Sequence, residues 1–166
     1  MSSTTYYHSP IGWIEIQASH NVVTSVVFCD ERKDVLQNDS KILKECVCQL
    51  DEYFGGRRMV FDVPVFQEGT EFQKTVWNAL MDIPFGQTVS YADIARTLNN
   101  PQSVRAVGAA NGQNKLWIIV PCHRVIGSNG SLTGYAGGIE RKKWLLAHEA
   151  QVFKNAGQTI PGILNF

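Results

Sequence analysis

Apolar and polar residues alternate with period two from Trp13 to Ala18, the spacing of a strand with one buried face. Tyr6 and Tyr7 precede this stretch across Ser9-Pro10-Ile11-Gly12, and Val22 to Cys29 follow it across Ser19-His20-Asn21. Both breaks carry turn residues, so residues 5–29 read as a short antiparallel meander. The polar stretch 30–40 reads as a loop or a frayed helix start. Ile42, Leu43, Cys46, Val47, Leu50, Tyr53 and Phe54 then recur at helical spacing, and Gly55-Gly56 stops the helix. Residues 57–63, Arg57 to Val63, read as one more strand, ended by Pro64.

Beyond Pro64 the period changes. Thr70 caps a helix with apolar positions Phe72, Val76, Trp77, Leu80 and Met81, and Ile83-Pro84-Phe85-Gly86 ends it. Ser90 is an N-cap for residues 91–98, with Asp93 at the third helical position as in a capping box. After the turn Asn99-Asn100-Pro101-Gln102 a second short helix spans 103–111, giving a helix-turn-helix pattern. Leu116 to Val120 is an apolar extended run stopping at Pro121. Residues 127–138 hold five glycines and read as a loop. The last helix, 140–153, buries Trp144, Leu145, Leu146 and Val152. The expected fold is α+β: a small α/β domain over 1–64, a helical, winged-helix-like domain over 65–155, and a tail over 156–166.

Composition sharpens this picture through charge. The 166 residues are 44% hydrophobic, enough for a real core, and carry 15 Lys+Arg against 15 Asp+Glu. That zero excludes a uniformly basic coat, but the chain up to Val63 has net charge −3 and the remainder +3. Between Ser90 and His148 the net charge is +5, so a local basic face survives inside a neutral total. No apolar run reaches the length of a membrane span, and the first residues lack the pattern of a secretory leader. A soluble cytoplasmic protein with reduced thiols is expected. Cys46 and Cys48 are separated by one residue, which suits neither a redox pair nor a zinc site.

The candidate chemistry lies in Val120-Pro121-Cys122-His123-Arg124-Val125. Cys122 follows an apolar run and has His123 and Arg124 beside it, with no acid nearby. A cationic setting lowers a thiol pKa, and an imidazole within reach takes its proton. Neighbours on a strand point apart, so His123 reaches Cys122 only through a turned backbone or a water. Glu149, on the last helix, completes a Cys–His–Glu relay in which the carboxylate orients the imidazole. On residue types alone, the relay and a purely structural role for these residues both stay open.

Pro-Cys-His-Arg-Val, preceded by Arg-Ala-Val-Gly-Ala-Ala and followed by Gly-Tyr-Ala-Gly-Gly and Trp-Leu-Leu-Ala-His-Glu, closely resembles the O6-alkylguanine-DNA alkyltransferase family of DNA repair proteins. The similarity runs in order from Phe72 to about Glu149; the first 60 residues agree only in size and strand-rich character. The resemblance implies a ribonuclease-H-like N-terminal domain and single-turnover transfer of an alkyl group from O6 of a flipped-out guanine to a cysteine thiolate. It assigns the nucleophile to Cys122, its deprotonation through a water to His123, orientation of the histidine to Glu149, and bracing of the active-site turn to Asn114. Tyr91 matches the tyrosine that donates to guanine N3, and Arg105 the finger that enters the stack. Tyr135 lines the pocket, and the Val125 carbonyl accepts the exocyclic amine. Two departures stand out: Lys115 follows Asn114 where a proline is usual, and Ala136 replaces a serine of some members. Trp117 is expected to shape the pocket wall.

The chemistry of these residues fits that expectation. A neutral phenol is a suitable donor to a ring nitrogen, and a base inside a duplex must be extruded to meet a thiol. Ser90, Gln102, Arg105, Ala106, Gly108 and Arg124 are the expected DNA-binding residues, with Arg96, Lys115 and the run Arg141-Lys142-Lys143 as further phosphate contacts. The resemblance, not the spacing, places the second short helix in the minor groove of double-stranded DNA. A monomer without metal or cofactor is expected, and activity on O4-alkylthymine is left open. A non-catalytic sensor of alkylated bases would lack Cys122; a cysteine hydrolase would give Arg105 no task.

Overall fold

The structure, a computed structural model, describes residues 2–35 and 40–157. Part of the polar stretch after Asp30 and most of the expected tail lie outside the described residues. The chain forms two compact units, Met1–Gln67 with Lys115–Ile119, and Glu68–Asn114 with Val120–Phe166.

The first unit is a three-stranded antiparallel sheet, β1 (Ser2–Ser9), β2 (Gly12–Ser19) and β3 (Val22–Cys29), in sequential order. Its two hairpins have two-residue loops, Pro10-Ile11 and His20-Asn21. His20 and Asn21 both have positive φ, 52° and 63°, the twist that lets so short a loop follow paired strands. Ile14, Ile16 and Ala18 alternate onto one buried face, with Val23, Val26 and Phe28 of β3. Helix α1 (Lys41–Phe54), capped by Ser40, packs on the sheet and buries Leu43, Cys46, Leu50 and Tyr53. All four cysteines are free, with Cys46 buried and Cys48 exposed.

Two strands expected from the sequence do not form. Residues 57–63 run beside α1 without a ladder. Their amides are met by a side chain: the wholly buried Gln49 accepts at Oε1 from the N–H of Asp62 (3.1 Å) and Val63 (3.3 Å). The run 116–120 makes a single parallel bridge, Leu116 to Val26, and then turns at residues 117–119. Ile118 has φ 73°, a left-handed conformation that costs a β-branched residue energy and breaks any strand. The Lys115 carbonyl accepts from Val26 N–H (2.8 Å) and Trp117 N–H donates to the Val26 carbonyl (3.0 Å). This segment therefore belongs to the first unit, which corrects the expected continuous 65–155 domain.

The second unit carries the remaining helices: α2 (Glu71–Met81), α3 (Tyr91–Thr97), α4 (Val104–Gly112) and α5 (Ile139–Asn155). Thr70 and Ser90 each close a full capping box, with Gln73 and Asp93 respectively. Helices α2, α3 and α4 pack together, and Trp77 Nε1–H donates to the Ala110 carbonyl inside that core (2.9 Å). A short parallel pair, β4 (Val89–Ser90) with β5 (Val125–Ile126), sets the start of α3 beside the chain that leaves Cys122. On α5 the buried residues are Lys142, Leu145, Leu146, Glu149 and Phe153; Trp144 and Val152, expected inside, are half-exposed. No helix among the described residues is long and apolar enough to cross a membrane.

Candidate active site around Cys122

The turn that holds Cys122 is built by its own sequence. Pro121 has φ −81° and ψ 63°, and Cys122 N–H donates back to the Val120 carbonyl (2.7 Å), closing an inverse γ-turn. Residues Cys122–Arg124 then make one 3-10 turn, with Arg124 N–H on the Pro121 carbonyl (3.0 Å). Asn114 Nδ2–H also donates to the Val120 carbonyl (2.9 Å), and Asn111 Nδ2–H reaches the Cys122 carbonyl (3.4 Å). This is the turned backbone that a Cys122–His123 relay requires.

Glu149 organises the other side. His123 Nε2 meets Glu149 Oε2 at 2.6 Å, both side chains being buried. Arg124 donates from Nε to Oε1 (2.8 Å) and from Nη2 to Oε2 (3.2 Å), while Gly86 N–H reaches Oε1 (3.4 Å). Gly86 has φ 82°, and a Cβ there would lie 3.1 Å from the Phe153 ring, so the turn after α2 needs a glycine. Burial pushes the Glu149 carboxyl up, but His123 and Arg124 outweigh it and hold it well below the usual carboxylate range. Burial also lowers His123, against the pull of Glu149, so the imidazole is neutral. An ionised Glu149 can only accept, so Nε2 carries the proton and Nδ1 is the basic nitrogen. Among the described residues Nδ1 has no hydrogen-bond partner.

The thiol differs from expectation. Burial pushes Cys122 up to about 11, while a hydrogen bond from Asn114 and the charge of Lys142 pull the other way. The resting group is a thiol, not a thiolate, because desolvation outweighs nearby positive charge. Tyr91 and Tyr135 are both raised, by burial first and by the proximity of Cys122 second. Tyr91 Oη–H donates to the Thr133 carbonyl (3.0 Å).

Cys122, His123, Glu149, Asn114, Tyr91, Tyr135 and Val125 thus come together, and Ser90 caps the helix carrying Tyr91. Arg105, Ala106 and Gln102 are exposed, and Gly108 is half-buried beside Tyr91. Ala136 is exposed, and Trp117 lies in the first unit against Phe28. Two expected phosphate contacts point inward. Arg124 is 6% exposed and spends its guanidinium on Glu149 and the Ile83 carbonyl (2.7 Å), and Lys142 is fully buried. An acid without a cation could not stay ionised in that interior, which is why Arg124 faces Glu149 and not solvent. Sequence reasoning missed Asn111 and misplaced Lys142 as a surface cation. Lys142 had a signal: it lies three, four, seven and eleven residues before the buried Leu145, Leu146, Glu149 and Phe153, on the inward stripe of α5.

Two family models match nearly the whole chain: the DNA-binding domain of 6-O-methylguanine DNA methyltransferase over residues 71–151, and its ribonuclease-like domain over residues 3–67. The chain belongs to the 6-O-methylguanine DNA methyltransferase family. Among members of this family, it is 47% identical over 148 residues to the methylated-DNA–protein-cysteine methyltransferase of Methanosarcina acetivorans, spanning 86% of this chain and 95% of that one. The inducible methylated-DNA–protein-cysteine methyltransferase of Bacillus subtilis is 55% identical over 112 residues, 68% of this chain and 63% of its own. The crystal structure of Mycobacterium tuberculosis O6-methylguanine methyltransferase superposes with a TM-score of 0.81 at 42% identity, covering 90% of this chain and 93% of that one. The same organism's protein in complex with DNA gives 0.80 at 44% identity, covering 91% and 93%. Both the small sheet unit and the helical unit of the fold are thus those of 6-O-methylguanine DNA methyltransferases.

Proposed function

We infer that this chain repairs DNA by taking the alkyl group of O6-alkylguanine onto Sγ of Cys122, once per molecule. The carrying observation is the buried Cys122 turn, whose neighbouring imidazole is held on Glu149 by Nε2 and keeps a basic Nδ1 without a partner among the described residues. Sulfur attacks the alkyl carbon, the S–C bond forms as the C–O6 bond breaks, and the bonding pair leaves with the base. The thiol gives up one proton and the guanine gains one, so charge and atoms balance. His123 receives the thiol proton at Nδ1 through a water, and the Tyr91 hydroxyl supplies a proton at the departing base. The imidazolium and phenolate so formed return to neutral by passing that one proton through solvent. With burial pushing the resting thiol up to about 11, the sulfur attacks only once its proton has been taken, which is the task of His123. The resulting thioether is a poor leaving group, which makes the reaction stoichiometric.

For the partner, we propose double-stranded DNA entered through the minor groove by α4. The exposed Arg105 and Ala106 and the half-buried Gly108 support this, because small side chains let a helix approach a narrow groove. Arg105 fills the space left by the extruded base. Asn114 braces the turn, and Tyr135 with the Val125 carbonyl and the backbone at Ala136 forms the pocket. We further propose a monomer, since the exposed large apolar residues Val35, Val60, Phe66, Met81 and Val104 lie in separate segments. A cytoplasmic setting suits four free cysteines.

Intact-mass spectrometry after incubation with a duplex containing O6-methylguanine tests the reading. One added methyl group mapped to Cys122 is expected, with no turnover beyond one equivalent. A folded protein that gains no methyl overturns it.

A further inference from the structure

Lys142 is the one charged residue of the Arg141-Lys142-Lys143 run that is fully buried. A lysine seldom enters an interior without a compensating partner. Here the partners are two main-chain carbonyls: Nζ–H donates to Val125 (2.6 Å) and to Thr133 (3.1 Å). Among the described residues no carboxylate pairs with it, and burial pushes the ammonium down to about 8. Those carbonyls belong to the strand that leaves the Cys122 turn and to the glycine-rich loop, so Lys142 ties both to α5. The Thr133 carbonyl is also the acceptor of the Tyr91 hydroxyl (3.0 Å). One oxygen thus holds a cation from α5 and a phenol from α3, one for each of its lone pairs.

We propose that Lys142 is a positioning residue for alkyl transfer, holding the Thr133 carbonyl on which the Tyr91 hydroxyl rests and so setting how readily that phenol turns to the incoming base. This rests on the reading of Tyr91 as proton donor given above. In the resting structure the phenol is engaged; in the reaction its O–H has to leave Thr133 for a ring nitrogen. Thr133 is exposed on the glycine-rich loop, and the Lys142 bond is what ties its carbonyl to α5. With Lys142 in place the carbonyl keeps its position after Tyr91 departs, so the hydroxyl swaps one acceptor for another without releasing the loop. The two donors also share one oxygen, which weakens the resting hold on the phenol.

The test is a double-mutant cycle on the full chain, followed by single-turnover transfer from an O6-methylguanine duplex at varied DNA concentration. Lys142→Met is expected to lower the limiting rate about tenfold while the half-saturating DNA concentration moves less than about twofold. In a Tyr91→Phe background the same change is expected to cost less than about threefold, because the shared acceptor no longer matters. Equal losses in both backgrounds, an unchanged limiting rate, or a loss confined to DNA affinity overturns the proposal. A parent protein that gains no methyl would instead overturn the functional reading. Should Lys142→Met fail to fold by circular dichroism, the Nζ resonance of 15N-lysine-labelled Cys122→Ser protein reports the same coupling. It is expected to shift on binding the damaged duplex and to lose about half of that shift when Tyr91→Phe is added. An equal shift with and without Tyr91 overturns the proposal.

Discussion

His123 donates from Nε2 to Oε2 of Glu149 at 2.6 Å, and this bond fixes which nitrogen is basic. The tautomer follows from the ionisation of Glu149, which His123 and Arg124 hold well below its usual range despite burial. Burial lowers His123 in turn. Below about pH 6.5 the unfolded chain binds a proton at His123 that the folded chain refuses, so stability falls with pH. Below about pH 4.5 Glu149 adds a second loss of the same sign. Urea midpoints are expected to drop from pH 7 to pH 5 and more steeply below. Glu149→Gln should flatten the lower part of that curve and slow methyl transfer; a midpoint constant between pH 7 and pH 5 would refute the assignment.

Arg124 tests the inward reading of a residue that looks, in sequence, like a phosphate contact. Its removal leaves Glu149 buried and under-compensated, which typically costs about 3–5 kcal/mol. Arg124→Ala is expected to lose stability on that scale in denaturant titrations and to slow transfer. DNA affinity of the fraction that stays folded should change little. Normal stability with weakened DNA binding would reverse this reading.

Arg105 is exposed on α4. If it occupies the gap left by the extruded base, its loss matters only where a base has to be extruded, a step worth a few kcal/mol. Arg105→Ala is expected to slow repair of a duplex by about tenfold or more while reaction with free O6-alkylguanine base changes less than about twofold. Equal losses on the two substrates would assign Arg105 to the pocket.

Gln49 replaces a strand ladder with one side chain. Gln49→Ala leaves the amides of Asp62 and Val63 without their acceptor, at a cost of about 1–3 kcal/mol. A lower melting temperature with an unchanged limiting transfer rate is expected; a transfer defect in the folded variant would show that residues 57–63 act beyond stability.

The features legible in the sequence were those with local causes. Ser90 with Asp93, Thr70 with its following helix, and the His20-Asn21 turn each announce themselves within a few residues. The Cys122, His123 and Glu149 positions came from an ordered motif. What escaped was decided by distant groups. Residues 57–63 look like a strand because a side-chain acceptor on α1 satisfies the same amides a ladder would. Leu116 to Val120 is apolar because it is buried, and apolar runs do not reveal a left-handed residue such as Ile118. Arg124 reads as a surface cation because nothing in its immediate neighbours discloses a buried carboxylate. Lys142 reads as one because its place on the inward stripe of α5 is outweighed by its charge, while its two carbonyl partners lie outside α5. The resting protonation of Cys122 escaped for the same reason, since burial is a tertiary property.

The inward course of Arg124 and Lys142 bears on how tightly the protein holds undamaged DNA. Binding strength to a duplex changes with salt because each neutralised phosphate releases condensed counterions, giving a slope near −0.9 per contact. Two of the cations between Ser90 and His148 are withdrawn from that exchange, and Arg96 and Lys143 each lie beside an acid, Asp93 and Glu140. Plots of log affinity against log salt should therefore be shallow, about −3 or flatter. The protein would release undamaged stretches quickly at ordinary ionic strength, and a molecule that reacts only once spends its lifetime searching.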